Sequence, residues 1–143
     1  MNSPLADCIF LAGIGQLSVL AASALVPVRL NWREEFAKLS PLHAQMYWVY
    51  GGYTVMSIIA LALICVANAQ ELATGSRLAR SLMLYMLVFW GVRLSLQPVL
   101  KVKPHLTTWW LKVGYHILTL LFAYFVGVAA WASFLPHFAA TTQ

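Results

Sequence analysis

The sequence predicts an all-α membrane protein with one domain, residues 1–143, built as an antiparallel bundle of four transmembrane helices. The 143-residue chain is 62% hydrophobic and 9% charged, with a mean hydropathy of +0.77, whereas about 25% of the residues of a soluble domain are charged. Its apolar residues fall into four blocks of about 20 residues, the length that a helix needs to cross about 30 Å of hydrocarbon. The blocks do not alternate apolar and polar residues, which excludes the strands of a membrane barrel.

The first block, residues 6–28, predicts a retained transmembrane helix. Residues 22–24 read Ala-Ser-Ala, which resembles the cleavage site of a signal peptide. No positive charge precedes the apolar residues, however, and Arg29 and Arg33 follow them. This order of charges is typical of a membrane helix whose N-terminus is exported.

Three further blocks predict the other helices, at residues 47–69, 79–100 and 113–135. Pro98 and Pro104 end the third helix and keep the following link from joining the fourth, because proline interrupts a helix. The middle link, residues 68–77, is a short polar turn that contains Gly75. Short links between consecutive helices favour antiparallel neighbours.

The basic residues predict the orientation of the bundle. Arg77 and Arg80 flank the middle link, whereas six basic residues lie in or beside the first and third links: Arg29, Arg33, Lys38, Lys101, Lys103 and Lys112. The excess of Lys and Arg marks the cytoplasmic side. We therefore expect a multi-pass protein of the inner (plasma) membrane with both termini outside the cytoplasm. Aromatic residues typical of a membrane interface lie at the same side: Trp32, Tyr47, Trp48, Trp109 and Trp110.

The net charge of +5 predicts contact with membrane lipids. The positive charges are spread along the membrane edges and no nucleic-acid-binding motif accompanies them, so we expect no nucleic acid as a partner. Anionic headgroups are the simpler counterpart. Assembly into a homo-oligomer, or into a larger membrane complex as a subunit, stays open.

Arg93 is a charged residue inside the third block, in the stretch LMLYMLVFWGVRLSLQ at residues 82–97. It precedes the predicted end of the helix by seven residues, which puts its Cα about 10 Å below the membrane edge. One interpretation is that the side chain extends to the headgroups. Gln97 then guides it from the same face of the helix, and Trp90 stacks on the cation from below.

The alternative interpretation is a shared polar site between three helices. His116 of the fourth helix, and Tyr50 and Tyr53 of the second, are predicted at the depth of Arg93. Polar groups at that depth need partners that lipid does not supply. The sequence therefore predicts a site for the headgroup of a lipid or quinone, formed by Arg93, His116, Tyr53, Tyr50, Gln97 and Trp90.

The histidines and cysteines suggest weaker sites. A weak alternative is a metal ion or haem b with His43, His105 and His116 as ligands. No His-x-x-x-His or Glu-x-x-His spacing occurs in the chain, so no metal or cofactor is expected. Cys8 and Cys65 are both predicted near the exported side. The sequence leaves open whether they form a disulfide or are small buried apolar residues.

No catalytic motif is found, because the chain has no Cys-x-x-Cys, glycine-rich phosphate loop or serine nucleophile elbow. The sequence favours a small integral membrane protein, or membrane subunit, that binds a lipid-like or quinone-like molecule near the cytoplasmic leaflet without catalysis of its own. Two alternatives stay open. The first is a membrane-bound redox enzyme or electron-transfer subunit that uses His116 and Arg93, and the second is an oligomeric transporter of small molecules.

Overall fold

The structure, a computed structural model, describes residues 3–29, 31–99 and 108–140. All regular secondary structure in these ranges is helical, which confirms the predicted all-α fold. The helices are α1 (Pro4–Ala24), α2 (Val26–Arg29), α3 (Trp32–Ala37), α4 (Pro41–Ala67), α5 (Ala69–Ala73), α6 (Arg77–Leu96) and α7 (Trp109–Ala140). Four segments are long and apolar enough to cross a membrane: Pro4–Arg29, Pro41–Ala67, Arg77–Leu96 and Trp109–Phe134.

Serine caps begin three of the long helices. The side-chain oxygens of Ser3, Ser40 and Ser76 each accept a hydrogen bond from the backbone N–H three residues later, at 3.2, 3.5 and 3.2 Å. Each cap satisfies one of the N–H groups that the start of a helix leaves without a partner. Because Ser40 and Pro41 form such a start, α4 begins at Pro41, well before the predicted residue 47.

The third long helix ends earlier than predicted. α6 stops at Leu96, and Gln97 caps it through a backbone hydrogen bond to Leu94 O. Pro98 follows, and it cannot donate the N–H that a continuing helix needs. The predicted end at Leu100 lies outside the described residues.

The first link is structured and aromatic. It contains α2 and α3, which are separated by a left-handed residue, Asn31, with φ 48°. The ring of Phe36 contacts Tyr47 and Trp48, with centroids 5.7 and 6.0 Å apart, and so fixes α3 to the start of α4. At the end of α3, Lys38 Nζ donates to Glu35 Oε1 at 2.9 Å, and this hydrogen bond and ion pair raise the pKa of Lys38.

The middle link is also partly helical. It was predicted as a polar turn, but it contains α5, whose Ala69 and Leu72 are buried. α5 packs against α1 and also contacts α6. Gly75 then turns the chain with φ 72°, a conformation that glycine adopts without strain.

The four long helices pair unevenly. α1 packs along α4 and contacts α7, and α6 packs along α7. α4 and α6 approach each other less closely, although Cys65 Sγ lies 3.7 Å from Met86 Sδ between them. A groove of about 210 Å³ remains along this boundary, lined by α4 between Met56 and Ile64 and by Leu82 and Tyr85 of α6. We call it the α4/α6 groove.

The core occupies one half of the bundle. We call the part from the start of α1 to the level of Val19, Ile58, Trp90 and Phe122 the closed half, and it holds the buried residues of the described helices. The backbone of Gly13 packs directly on α4 there, since a Cβ added to it would lie 2.7 Å from Val66 Cγ2. Small residues permit such close approach between membrane helices.

The remaining part, toward the link between α1 and α4, is the open half. In the described chain no residue of 41–57, 91–96 or 109–121 is buried. In α4 alone, residues 41–57 form about 25 Å of helix without a buried residue. Most of the predicted polar site lies in this half, on helix surfaces that other parts of the described chain do not cover.

Candidate functional site

The structure places the six predicted site residues at different degrees of burial. Arg93 and Gln97 are half-buried on α6, whereas His116 on α7 is exposed. Tyr50 and Tyr53 on α4 are 63% and 61% exposed. The sixth residue, Trp90, is fully buried. No hydrogen bond or ion pair of the described residues joins Arg93 to Tyr50, Tyr53 or His116, so the six residues do not form a closed cluster there.

Arg93 is the central charged group of the predicted site. No hydrogen bond or ion pair joins it to another residue that the structure describes. It follows Trp90 by three residues, so it stands directly above the level at which the core ends. A guanidinium carries five N–H donors in a planar fork, and those of Arg93 are available to a ligand with oxygen acceptors.

Gln97 lies one helical turn further along α6 on the same face. Its Oε1 is buried and has no hydrogen-bond partner in the described part of the chain. A buried acceptor without a partner costs about 1–3 kcal/mol, so a donor from a ligand or from water at this atom would be favourable. Gln97 and Arg93 thus offer an acceptor and donors side by side.

Tyr115 is a site residue that the sequence reasoning missed. Its phenol donates a hydrogen bond to the backbone oxygen of Gln97 at 3.3 Å and so ties α7 to the end of α6. Its ring stands edge-on to that of His116, with centroids 5.8 Å apart. Its position beside His116 in the sequence could have predicted this role, because a phenol inside a membrane span needs a hydrogen-bond partner.

Trp90 belongs to the core that supports the site. Its ring packs on Phe122 and Phe125, with centroids 5.1 and 4.8 Å apart. The predicted stacking on Arg93 is absent from the aromatic contacts of the described residues. The indole Nε1 is buried and also lacks a hydrogen-bond partner in those residues.

Two of the four histidines, His43 and His116, have described side chains. No group of three His, Cys, Asp or Glu side chains among the described residues could hold a metal ion. His43 Nδ1 lies 2.6 Å from Ser40 Oγ at the start of α4, whereas His105 is outside the described residues. Cys8 and Cys65 are free thiols, and Cys65 is fully buried.

A second hollow lies at the link between α1 and α4. It has a volume of about 610 Å³ and is lined by residues of α2 and α3 and by Trp48 of α4. Trp32 packs edge-on against Phe36 at 5.4 Å, and Arg33 is exposed at the hollow. Aromatic rings beside a cation are typical of the boundary between hydrocarbon and headgroups, as the sequence predicts for these residues.

In comparisons with known protein families, with curated proteins and with solved structures, this chain has no match. Its function is therefore inferred from the side chains themselves. The group with the clearest binding chemistry is Arg93 with Gln97, next to the phenol of Tyr115.

Proposed function

We propose that this chain is a small integral membrane protein that binds the headgroup of a lipid-like or quinone-like molecule at Arg93, near the cytoplasmic leaflet and without catalysis of its own. The observation that carries the proposal is the half-buried guanidinium with no partner in the described residues. A charged residue within a membrane span usually marks a functional site.

The chemistry of the surrounding groups supports an acceptor headgroup. Phosphate oxygens and quinone carbonyls both accept hydrogen bonds, and arginine binds phosphate with a fork of parallel N–H groups. Gln97 offers an amide beside the cation, with its Oε1 free to accept. Tyr50, Tyr53 and His116 are exposed in the open half and offer hydroxyl and imidazole groups to a ligand there. Counted from the level of Ile58, Trp90 and Phe122, they stand about 8–12 Å into the open half, whereas Arg93 stands about 5 Å into it.

We propose that the open half faces the cytoplasm in the inner membrane, because the first and third links of the sequence carry the excess of Lys and Arg. Single cysteines at residues 72–76 and 100–107 test it, in a chain whose Cys8 and Cys65 are replaced. We expect an impermeant thiol reagent to label the first set in intact cells and not the second. The reverse pattern would contradict the cytoplasmic location of the site.

The binding experiment compares the molecules that stay with the purified protein. Wild type, Arg93→Leu and Arg80→Leu are purified in mild detergent, and retained lipids and quinones are identified by mass spectrometry. Arg80 is the matched control because it is half-buried on the same helix, near its other end. We expect wild type and Arg80→Leu to retain one enriched species that Arg93→Leu loses.

Two outcomes would overturn the proposal. The first is equal retention by all three proteins, which would show that lipid binds without Arg93, and the second is no enriched species in any of them. An absorption spectrum adds a direct test of the redox alternative. A Soret band that disappears in His116→Leu would favour a haem protein, in which the imidazole is an iron ligand.

A further inference from the structure

Gln16 on α1 brings an amide into the apolar core of the closed half, where its side chain is fully buried. Its Oε1 has no hydrogen-bond partner in the described part of the chain. Its Nε2 meets two sulfur atoms, Met86 Sδ at 3.7 Å and Cys65 Sγ at 4.0 Å. Sulfur is a weak acceptor, and a buried polar group without a good partner destabilises a fold. In the metal-free protein this amide is therefore packed but poorly satisfied.

Three helices bring the amide and the two sulfurs together. Cys65 Sγ on α4 lies 3.7 Å from Met86 Sδ on α6, so the three groups form a triangle with sides of 3.7, 3.7 and 4.0 Å. Its centre is about 2.2 Å from each corner, close to the bond of about 2.3 Å between a thiolate and Zn²⁺, an ion with a filled d shell. A metal ion of similar bond length fits there without a large movement of the helices.

The amide of Gln16 can turn its oxygen toward this centre. A half-turn about the last side-chain bond exchanges Oε1 and Nε2. The exchange gives up the contacts of Nε2 with sulfur, which are weak hydrogen bonds, and Oε1 has no partner in the described residues to lose. The donors at the centre are then a thiolate, a thioether and an amide oxygen.

This donor set selects a soft monovalent ion. Thiolate and thioether ligands favour Cu(I), and glutamine is a weak additional donor at some copper sites. When Cu(I) binds, the S–H bond of Cys65 breaks, a Cu–S bond forms and the proton leaves to water, with no electron transferred. The charge of the site does not change. A divalent ion would instead leave one positive charge in an apolar core, which is costly.

We propose that Cys65, Met86 and Gln16 form a binding site for Cu(I) in the closed half. The inference is independent of the proposed function, because these residues lie in the core and not at Arg93. The ion would join α1, α4 and α6 at one level. Since α4 and α6 pack less closely than α1 with α4 or α6 with α7, the ion stabilises the contact that side chains alone hold least firmly.

The first test measures copper in protein from cells grown with added copper salt, because a buried site is filled most readily while the chain folds. The proteins are purified in mild detergent with a chelator, and copper and zinc per chain are determined by inductively coupled plasma mass spectrometry. Cys65→Ala and Met86→Leu each remove a sulfur donor, and leucine matches the volume of methionine. The matched controls are Cys8→Ala, which removes the other cysteine, and Met83→Leu, since Met83 is also buried on α6.

We expect equal copper in wild type and in both controls, close to one ion per chain. Cys65→Ala and Met86→Leu should retain less copper by about tenfold or more, the loss that even an outer partner of a metal ligand can cause. Three results would overturn the site: no copper in wild type, equal copper in all variants, or zinc in the place of copper.

A second measurement uses the wild-type chain, so that it does not depend on the folding of a variant. X-ray absorption at the copper edge should show Cu(I) with two sulfur neighbours at about 2.3 Å and a lighter atom from the amide. A spectrum of Cu(II), or a shell without sulfur, would contradict the proposal.

Gln16→Leu separates a ligand from a packing group. It should raise the melting temperature of the copper-free protein, because it removes a buried acceptor without a described partner. Copper should raise the melting temperature of wild type, since a bound ion stabilises the folded state, and should raise that of Gln16→Leu less. An equal copper shift in both proteins would remove the amide from the site and so contradict the three-donor assignment.

Discussion

The closed and open halves contain the same four long helices but differ in how closely their glycines are packed. In the closed half, a Cβ on Gly13 would lie 2.7 Å from Val66 Cγ2, and one on Gly15 would lie 2.9 Å from Phe125 Cε1. In the open half, a Cβ added at any of four glycines would meet no atom beyond its own helical turn within 4 Å: Gly51, Gly52, Gly91 and Gly114. The same holds for Gly127, on an exposed face of α7 in the closed half. A glycine in a membrane helix thus indicates close packing only where a neighbouring helix is present.

Polar residues differ between the halves in the same manner. Gln16 is fully buried in the closed half, where its Nε2 lies 3.7 Å from Met86 Sδ and 4.0 Å from Cys65 Sγ. Its neighbours are weak acceptors, so it is a packed core residue. Arg93 in the open half is half-buried without a partner in the described chain. The comparison indicates that the packed core resides in the closed half, and the proposed binding site lies in the open half.

The largest effect is expected for tryptophan truncation. Trp90→Ala removes a fully buried ring from the closed half and should lower the free energy of unfolding by about 3–5 kcal/mol. Trp110 is 74% exposed in the open half. Trp110→Ala should therefore change the free energy of unfolding by less than about 0.5 kcal/mol. Thermal unfolding of both variants in one detergent measures the difference. Equal losses would show that the division into halves is wrong.

A glycine pair gives the next largest difference. Gly13→Leu forces a side chain against α4, where Ala62 O would lie 3.0 Å from the new Cβ, and should cost about 1–3 kcal/mol. Gly51→Leu places the same side chain in open space and should leave the melting temperature unchanged or raise it, because leucine favours the helix. If Gly51→Leu were instead the more damaging change, the open half of α4 would be covered by another chain.

A smaller effect is expected for Tyr115→Phe. The variant loses only the hydrogen bond to Gln97 O at 3.3 Å, and such bonds in membrane proteins average about 0.6 kcal/mol. Tyr47 is exposed and away from that contact, so Tyr47→Phe is the control and should have no effect. Chemical denaturation of the detergent-solubilised proteins resolves the two. A loss above about 2 kcal/mol would place Tyr115 in a larger network than the one observed.

The smallest effect on the ligand-free protein is expected at Arg93. Because no described partner loses a hydrogen bond, Arg93→Leu and His116→Leu should each change stability by less than about 0.5 kcal/mol and should be additive. Added lipid extract should raise the melting temperature of wild type and not that of Arg93→Leu, since a ligand stabilises the state that binds it. Arg93→Lys should restore little of this shift, because lysine lacks the planar fork.

A contrary result at Arg93 would be informative as well. Strong non-additivity of Arg93→Leu and His116→Leu without lipid would reveal a closed polar cluster, as the matched depth of the two residues in the sequence suggests. Arg80→Leu, in the closed half, serves as the control for removing an arginine from α6. If added lipid extract changes the melting temperature of neither wild type nor any variant, Arg93 acts only as an anchor at the membrane interface.

The number, type and approximate position of the long helices could be predicted from the sequence. Length and hydropathy are local properties, and a block of about 20 apolar residues has few alternatives to a membrane helix. The predicted depth of Arg93, about 10 Å below the membrane edge, assumed a helix that ends at residue 100. Because α6 ends at Leu96, Arg93 lies in its last turn. Ser40 and Pro41 are a local signal for the early start of α4. The prediction did not use this signal and set the start at residue 47, where the apolar block begins.

The helix faces that meet could not be predicted from the sequence, because they depend on long-range packing. These helices are apolar nearly all round, so their sequences contain little periodic signal for a buried side, and the pairing depends on steric fit such as that of Gly13 on α4. Trp90 therefore went to the core with Phe122 and Phe125 instead of onto Arg93. The α4/α6 groove and the bond from Tyr115 to Gln97 O arise from the same long-range packing, which no single helix encodes.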